Sequence, residues 1–450
     1  MIKDKQVEKR DNANVKLTVT LDKEYVSGEY DKLLKDYAKK AHIKGFRPGK
    51  VPPKVLEAKY GESLKAETAQ TVLEEALKSV FEEIEEKPLP YSQPALEEEP
   101  ELSFDSDMSF AVTYDVFPEV EPGEYTGHTV EEPQVKITDE DIQRELEAIQ
   151  EQNAITMDKD SGVVARDDVI TVDYVELDEE GNEREDTRRK DYTFTVGTEM
   201  NLYKFDDDVV DMKLDESKDI TKTFPEDFGD ESLAGTTRTI RVTVTAVKQR
   251  DLPEIDDELA QDVSDEYETL DDLKSDIRKR LEKQVTERVR KQKVDQLTNA
   301  ILEQSTVPVP ESMVKAELEQ NWRNFLGQFG GNEQQIMQLI EAQGRTKEDF
   351  LEQWREQATA RLRQQLLTQK LVESEGIEVS DEEVDEYIAE QAEGSSMSPE
   401  EAKEHYRNNN MLDYVKQEVS ERKLFDKLFE QNKVKKGKKQ SVMDVMGQNE

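Results

Sequence analysis

KKAHIKGFRPGKVPPKVLEAKYG, residues 39–61, decides how the rest of the chain is read. Gly45 and Gly49 loosen the backbone, Pro48 stiffens it, and Pro52-Pro53 close one segment and open a helix. Phe46 stands in this loop with no adjoining apolar stripe, so its ring has no obvious core to enter. Between Lys32 and Lys59 nine basic residues face two acids, Asp36 and Glu57, a local charge of +7 in a chain of −43. A cationic, glycine-hinged loop with one aromatic suits an RNA–protein surface. Arg47 and Lys50 would neutralise phosphates or carboxylates, and Phe46 would enter an apolar crevice. The competing reading is a solvated basic helix and a turn, with Phe46 folded back onto the core.

Upstream, NVKLTVTL (14–21) alternates as a half-buried strand does, and Asp22 caps a helix running to about Ala41. Downstream, a short helix in PPKVLEAKYG is separated by Gly61 from a longer one over about 62–87, which Pro88 and Pro90 end. Strands near ELSF (101–104) and MSFAVTYDVF (108–117) complete an α+β head over residues 1–117, a small sheet with helices on one face. Residues 118–135 are rich in Pro and Gly and read as a linker. Thr138 with Asp141 forms a capping box for a helix over 139–153.

The pattern then turns to β. DDVITVDYVELD (167–178), a turn at Gly181, DYTFTVG, DITKTFPEDFG and TTRTIRVTVTAVKQR predict an antiparallel β domain over 154–252. Residues 253–450 read as an all-α domain with long helical arms. Thr269/Asp272, Thr346/Asp349, Ser380/Glu383 and Ser398/Glu401 fit capping boxes. Val307-Pro308-Val309-Pro310 and Gly330-Gly331 break the helices, and one over 347–374 would be about 40 Å long. The tail, KVKKGKKQSVMDVMGQNE, reads as polar and frayed.

Composition narrows the chemistry. At 450 residues the chain has room for roughly two to four domains. With no Cys, thiol catalysis and thiolate metal sites are excluded, and His42, His128 and His405 lie too far apart to predict a metal site. No P-loop, GxSxG elbow or dinucleotide fingerprint is present, so no cofactor is expected. A charged N-terminus without an apolar core, and no long apolar run, predict a cytoplasmic protein with no membrane partner. The excess of acids opposes contact with nucleic acid unless positive charge is concentrated locally, as it is between Lys32 and Lys59. The same acidity suits either solubility by self-repulsion or a salt-rich cytoplasm.

GFRPGKVP, with the Lys-rich helix before it and Tyr60-Gly61 after it, resembles the ribosome-binding signature of the trigger factor family, GFRxGKxP. The order of units, an α+β head, a linker, an FKBP-like β domain and a helical body, is similar along the whole chain. The resemblance implies an ATP-independent chaperone docked near the ribosomal tunnel exit, touching ribosomal protein and rRNA. Its other partners would be nascent and unfolded polypeptides, and off the ribosome a weak homodimer. Gly45, Phe46, Arg47, Gly49 and Lys50 would be the ribosome-binding residues. Pro48 stands where many relatives have Lys, so one positive charge of the usual loop is missing.

The resemblance also implies peptidyl-prolyl isomerase activity, with Tyr174, Phe194, Phe205 and Phe228 as pocket aromatics. That chemistry needs no nucleophile: an apolar pocket favours the twisted amide, which is less polar than the planar one. The pattern is partly lost, since NLYKFDD (201–207) replaces a floor of the form IPGFE and EREDTRRK (183–190) lacks the usual aromatic–acid step. The four rings would then be ordinary core. In the helical body Met313, Trp322, Phe325, Phe329, Met337, Phe350 and Trp354 lie among Gln, Glu and Arg and are the candidate client-binding residues. Two other readings stay open: primarily a prolyl isomerase with a substrate-presenting scaffold, or a ribosome-free folding chaperone.

Overall fold

The computed structural model describes residues 1–450 apart from 41, 43–45, 47–50, 99–101, 179, 231, 343, 393–396 and 448–450. The head is built on β1 (Ile2–Lys9), β2 (Asn14–Leu21), α1 (Lys23–Lys40), α2 (Pro53–Glu83), β3 (Ala95–Leu96) and β4 (Met108–Asp115). The strands pair antiparallel in the order β1-β2-β4-β3. Alternation on β2 buries Val15, Leu17, Val19 and Leu21 against Val72, Ala76 and Val80 of α2 and Val26 of α1. The Asp22 carboxylate accepts from the Glu24 N–H at 2.7 Å, which starts α1 as expected. On β4 the Tyr114 hydroxyl donates to the Glu86 carbonyl at 2.9 Å, and burial pushes its pKa up to about 12.

Two expectations for the head are corrected, and one strand that the sequence did not announce is present. β1 is a full strand although its sequence is mostly charged. It is an edge strand holding the core only by Ile2 and Val7, and its Lys3 and Lys5 pair with Asp107 and Glu83. Residues 102–104, the described part of ELSF, are not a strand. The Ser103 hydroxyl there accepts from the Asp105 N–H, a local turn bond that competes with a ladder, and β4 pairs instead with Ala95–Leu96.

Gly61 does not separate two helices, because α2 runs unbroken for 31 residues from Pro53 to Glu83. Leu56 and Leu64, on either side of Gly61, both bury against Tyr30, Leu34 and Val51, and that packing outweighs the ~1 kcal/mol helix penalty of glycine. A methyl group at position 61 would meet nothing within 4 Å. Gly61→Ala is therefore expected to stabilise the chain by about 0.5–1 kcal/mol, read as a higher urea midpoint at unchanged slope.

The expected linker carries a strand, β5 (Thr129–Val135), before α3 (Asp139–Gln152), which opens on the Thr138/Asp141 capping box. The β domain follows: β6 (Ile155–Asp158), β7 (Val169–Leu177), β8 (Arg189–Thr195), a short α4 (Asp206–Val209), β9 (Ser217–Thr223) and β10 (Thr237–Asp251). Its sheet runs β6-β10-β7-β8, with β9 also on β10, all antiparallel. Gly181 turns at φ 84° after β7, where the Asp178 carboxylate accepts from the Asn182 N–H at 2.8 Å. Then come α5 (Asp257–Val263) and α6 (Leu270–Leu302).

The remaining helices are α7 (Glu311–Gln328), α8 (Glu333–Ala342), α9 (Lys347–Ser374), α10 (Asp381–Ala392), α11 (Pro399–Asn408) and α12 (Leu412–Gln431). All four expected capping boxes form, with reciprocal bonds at Thr269/Asp272, Thr346/Asp349, Ser380/Glu383 and Ser398/Glu401. Gly330 and Gly331 end α7 at φ 78° and 75°. The tail is not frayed from Lys433 to Met446. Lys433–Gln440 forms β11, paired with β5, and Ser441 caps α13 (Val442–Met446), whose Val442 buries among Ile142, Leu146 and Leu273.

The chain divides into two compact units, Met1–Glu132 with Lys291–Gly437, and Pro133–Arg290 with Lys438–Glu450. The first joins the head to the helices. Asp115, 7% exposed at the end of β4, accepts from the Asn14 amide and from the Ser312 N–H at the start of α7, both at 2.8 Å. Glu121 and Thr306 form a β-bridge, and a Cβ at Gly123 would come within 2.6 Å of Gln304, a contact only glycine permits.

Candidate functional site

The expected site residues fall in three regions. At the basic loop, α1 and α2 form a hairpin whose helices pack through Tyr30, Leu34, Leu56 and Leu64. Phe46, beyond α1, is 41% exposed; Gly45, Arg47, Gly49 and Lys50 lie outside the described residues. On the flanking helices Lys32 and Lys39 pair with Glu29 and Asp36, and the Lys39 hydrogen bond holds the Asp36 carboxyl below the usual carboxylate range. Lys35, Lys40 and Lys54 have no ion-pair partner among the described residues, and Lys59 lies 5.1 Å from the Tyr60 ring centroid. The described part of this region thus holds an exposed ring, and the helices on either side carry unneutralised charge.

In the β domain Tyr174 on β7, Phe194 on β8 and Phe205 just before α4 come together: Phe205 lies 5.8 Å from Tyr174 and 5.6 Å from Phe194, ring to ring. Phe228, in the loop between β9 and β10, joins them only through others, at 4.8 Å from Phe224, which stands 6.5 Å from Tyr203. Phe205 is placed by its loop. The buried Asp206 carboxylate accepts from the Gly197 and Glu199 N–H groups, and the buried Asn201 side chain accepts from the Phe205 N–H at 3.0 Å.

Sequence reasoning missed Tyr203, Glu176 and Arg184. Glu176 is 5% exposed; one carboxylate oxygen accepts from the Tyr203 hydroxyl at 2.9 Å and the other from Arg184 at 2.8 Å. Burial and then this bond raise the Tyr203 phenol above its ordinary pKa. A signal was present, since Glu176 continues the inward series Ile170, Val172, Tyr174 at a spacing of two. Arg184 comes from EREDTRRK, the stretch that lacks the usual aromatic–acid step. The arrangement is a buried aromatic cluster holding one paired carboxylate, with no nucleophile among its members.

In the helical body Trp322 is corrected as a client contact. It is 1% exposed, its indole N–H donates to Glu333 at 2.9 Å, and Leu326, Ile336 and Ile340 enclose it. Phe325, Met337, Phe350 and Trp354 pack partly buried around it, and Met313 packs partly buried on a different cluster. Phe329 is the exposed member at 56%, with Leu339 at 62%. A cleft of 1530 Å³ in the same unit is lined by Arg10, Asn12, Glu86, Phe117, Glu303 and Arg363. Among the described residues no His/Asp/Glu group could hold a metal, and no helix is long and apolar enough to cross a membrane.

Family models described as bacterial trigger factor protein match residues 3–149 and, for its C-terminus, 269–430; one for FKBP-type peptidyl-prolyl cis-trans isomerase matches 161–247. The trigger factor of Treponema denticola is 42% identical over 446 residues, covering 98% of this chain and 99% of its own. That of Borreliella burgdorferi is 34% identical over 451 residues, covering 99% of each. A solved structure of the trigger factor chaperone aligns over 95% of this chain and 99% of its own, at 24% identity and a TM-score of 0.45. Relatives so similar from end to end place the chain in the trigger factor family, ribosome-associated chaperones that carry an FKBP-type prolyl-isomerase domain.

Proposed function

We propose that this chain docks in the cytoplasm at the ribosomal tunnel exit through the tip of the α1–α2 hairpin and shields emerging polypeptides without ATP. The observation that carries the docking reading is the exposed Phe46, in a segment flanked by Lys35, Lys40 and Lys54, none of which has an ion-pair partner among the described residues, in a chain of net charge −43. Bulk charge would repel rRNA, so contact must be made where the sign is reversed. Clients are held weakly and without sequence preference by exposed apolar side chains set among amides and charges, Phe329 and Leu339 foremost.

The purified chain is expected to suppress light scattering when a denatured model protein is diluted from guanidinium, with no nucleotide added. The double variant Phe329→Ser/Leu339→Ser should need roughly three to ten times more protein for half suppression, from loss of about 1 kcal/mol of apolar contact. An unchanged curve would remove these residues from the client surface.

A second activity is favoured by the clustering of Tyr174, Phe194 and Phe205. The β domain then isomerises X-Pro bonds, with the rings lowering the cost of a twisted, less polar amide. In this reading Phe228, packed on Phe224 at 4.8 Å, would meet the proline ring.

A further inference from the structure

β11 reads KVKKGKKQ. Lys433, Lys435, Lys436, Lys438 and Lys439 are all exposed, and none has an ion-pair partner among the described residues. Five lysines within seven residues is the densest run of such cations among the described residues. Lys293, Lys423 and Lys427, by contrast, pair with Glu132, Glu383 and Glu375. The lysines of β11 stay free even though the strand pairs with β5, which carries Glu131 and Glu132.

They are also held in place. A Cβ on Gly437 would lie 3.1 Å from the Glu132 carbonyl oxygen, so glycine lets the lysine strand lie close against β5. At one end the Lys433 N–H donates to the His128 carbonyl at 2.8 Å, and at the other Ser441 caps α13. Alternation sends Lys433, Lys435 and Lys439 to one side and Lys436 and Lys438 to the other. Ammonium groups two residues apart are spaced about 6.7 Å along the strand. Folding thus orders the backbone that carries these cations, three on one side of the strand and two on the other, and binding has to order only their side chains.

The occupant follows from the residue types. Lysine binds phosphate as a point charge, where a planar carboxylate is better matched by the arginine fork. β11 has no aromatic on which a base could stack, and Val434 is its one large apolar residue, too little to enter a bilayer. We propose that β11 is a second, sequence-independent RNA contact that takes successive backbone phosphates, apart from the hairpin loop. The proposal rests on the trigger factor reading only for where RNA is met, on the ribosome surface.

The test uses the full chain and a fluorescently labelled, 20-base-pair RNA hairpin, with anisotropy read at 50 and 200 mM KCl. The wild type is expected to bind and to lose roughly 500-fold in affinity across that salt range, the dependence that about five phosphate contacts give. Lys435→Gln/Lys436→Gln/Lys438→Gln/Lys439→Gln should weaken binding at 50 mM by more than tenfold and flatten the salt slope by about three units. Its thermal unfolding should match the wild type, because Gly437 is retained and each replaced side chain is exposed. Phe46→Ala/Arg47→Ala/Lys50→Ala should leave hairpin binding in place, so failure of the loop reading and failure of this one are distinguished. Equal binding by wild type and quadruple variant overturns the proposal. So does a preference for phosphatidylserine vesicles over RNA, or a self-association in sedimentation equilibrium that the quadruple variant abolishes.

Discussion

Ribosome co-sedimentation should be almost wholly lost when Phe46, Arg47 and Lys50 are together replaced by alanine. An aromatic anchor in a desolvated crevice is worth about 2 kcal/mol or more, and each charge-assisted hydrogen bond about 1.5–3. Losing all three removes at least ~4 kcal/mol, a factor of roughly 10³ in affinity. The wild type should itself weaken as KCl rises, because Arg47 and Lys50 displace counterions from phosphate. Single variants separate the contributions: Phe46→Ala should lower affinity with little change in salt slope, and Arg47→Ala should lower both. Retained sedimentation of the triple variant would end the docking proposal. Pro48 predicts a weaker wild-type affinity than in relatives with Lys there, and Pro48→Lys should strengthen binding by up to about tenfold.

Phe205→Ala should abolish prolyl-peptide isomerisation and destabilise the β domain by about 3–5 kcal/mol, because the ring is fully buried against Tyr174 and Phe194. Loss of activity in that variant alone would not separate pocket from core. Tyr203→Phe makes the distinction: it keeps the ring and removes one hydrogen bond to Glu176, at a cost of about 1 kcal/mol. If Glu176 and Tyr203 shape a working pocket, kcat/KM for a proline tetrapeptide should fall several-fold in Tyr203→Phe while the urea midpoint moves little. A wild type with no isomerase activity at micromolar concentration would leave these rings a structural role only. Ribosome sedimentation should be unchanged in both variants, since the rings belong to a different unit from the hairpin.

Much of this architecture could be read where local chemistry is self-sufficient. A capping box binds groups three residues apart, so Thr138/Asp141 and Thr346/Asp349 announce their helices whatever surrounds them. NVKLTVTL announces β2 because one face is wholly buried. The misreadings arise where distant residues decide. Gly61 looks like a break until Leu56 and Leu64 are seen burying against the same residues of α1. β1 and β11 are too charged to look like strands, and each is one because a partner strand far along the chain supplies its hydrogen bonds. Trp322 illustrates the limit for function, since spacing puts an aromatic on a helix face but does not say whether that face meets water or Ile336 and Ile340. Glu176 was legible in principle, as an acid in step with inward residues, but its partners Tyr203 and Arg184 required the fold.

The carboxylate of Asp115 grips the amide of Ser312, and Gly123 nestles on Gln304, although each pair is separated by well over a hundred positions. A vectorially synthesised polypeptide cannot make either contact until translation has passed those later residues. The intervening FKBP-type segment must therefore be made, and can fold, before the first unit is complete. Until then the faces that Asp115 and Gly123 later cover stay open, so this chaperone, while itself nascent, is a substrate of the kind it protects.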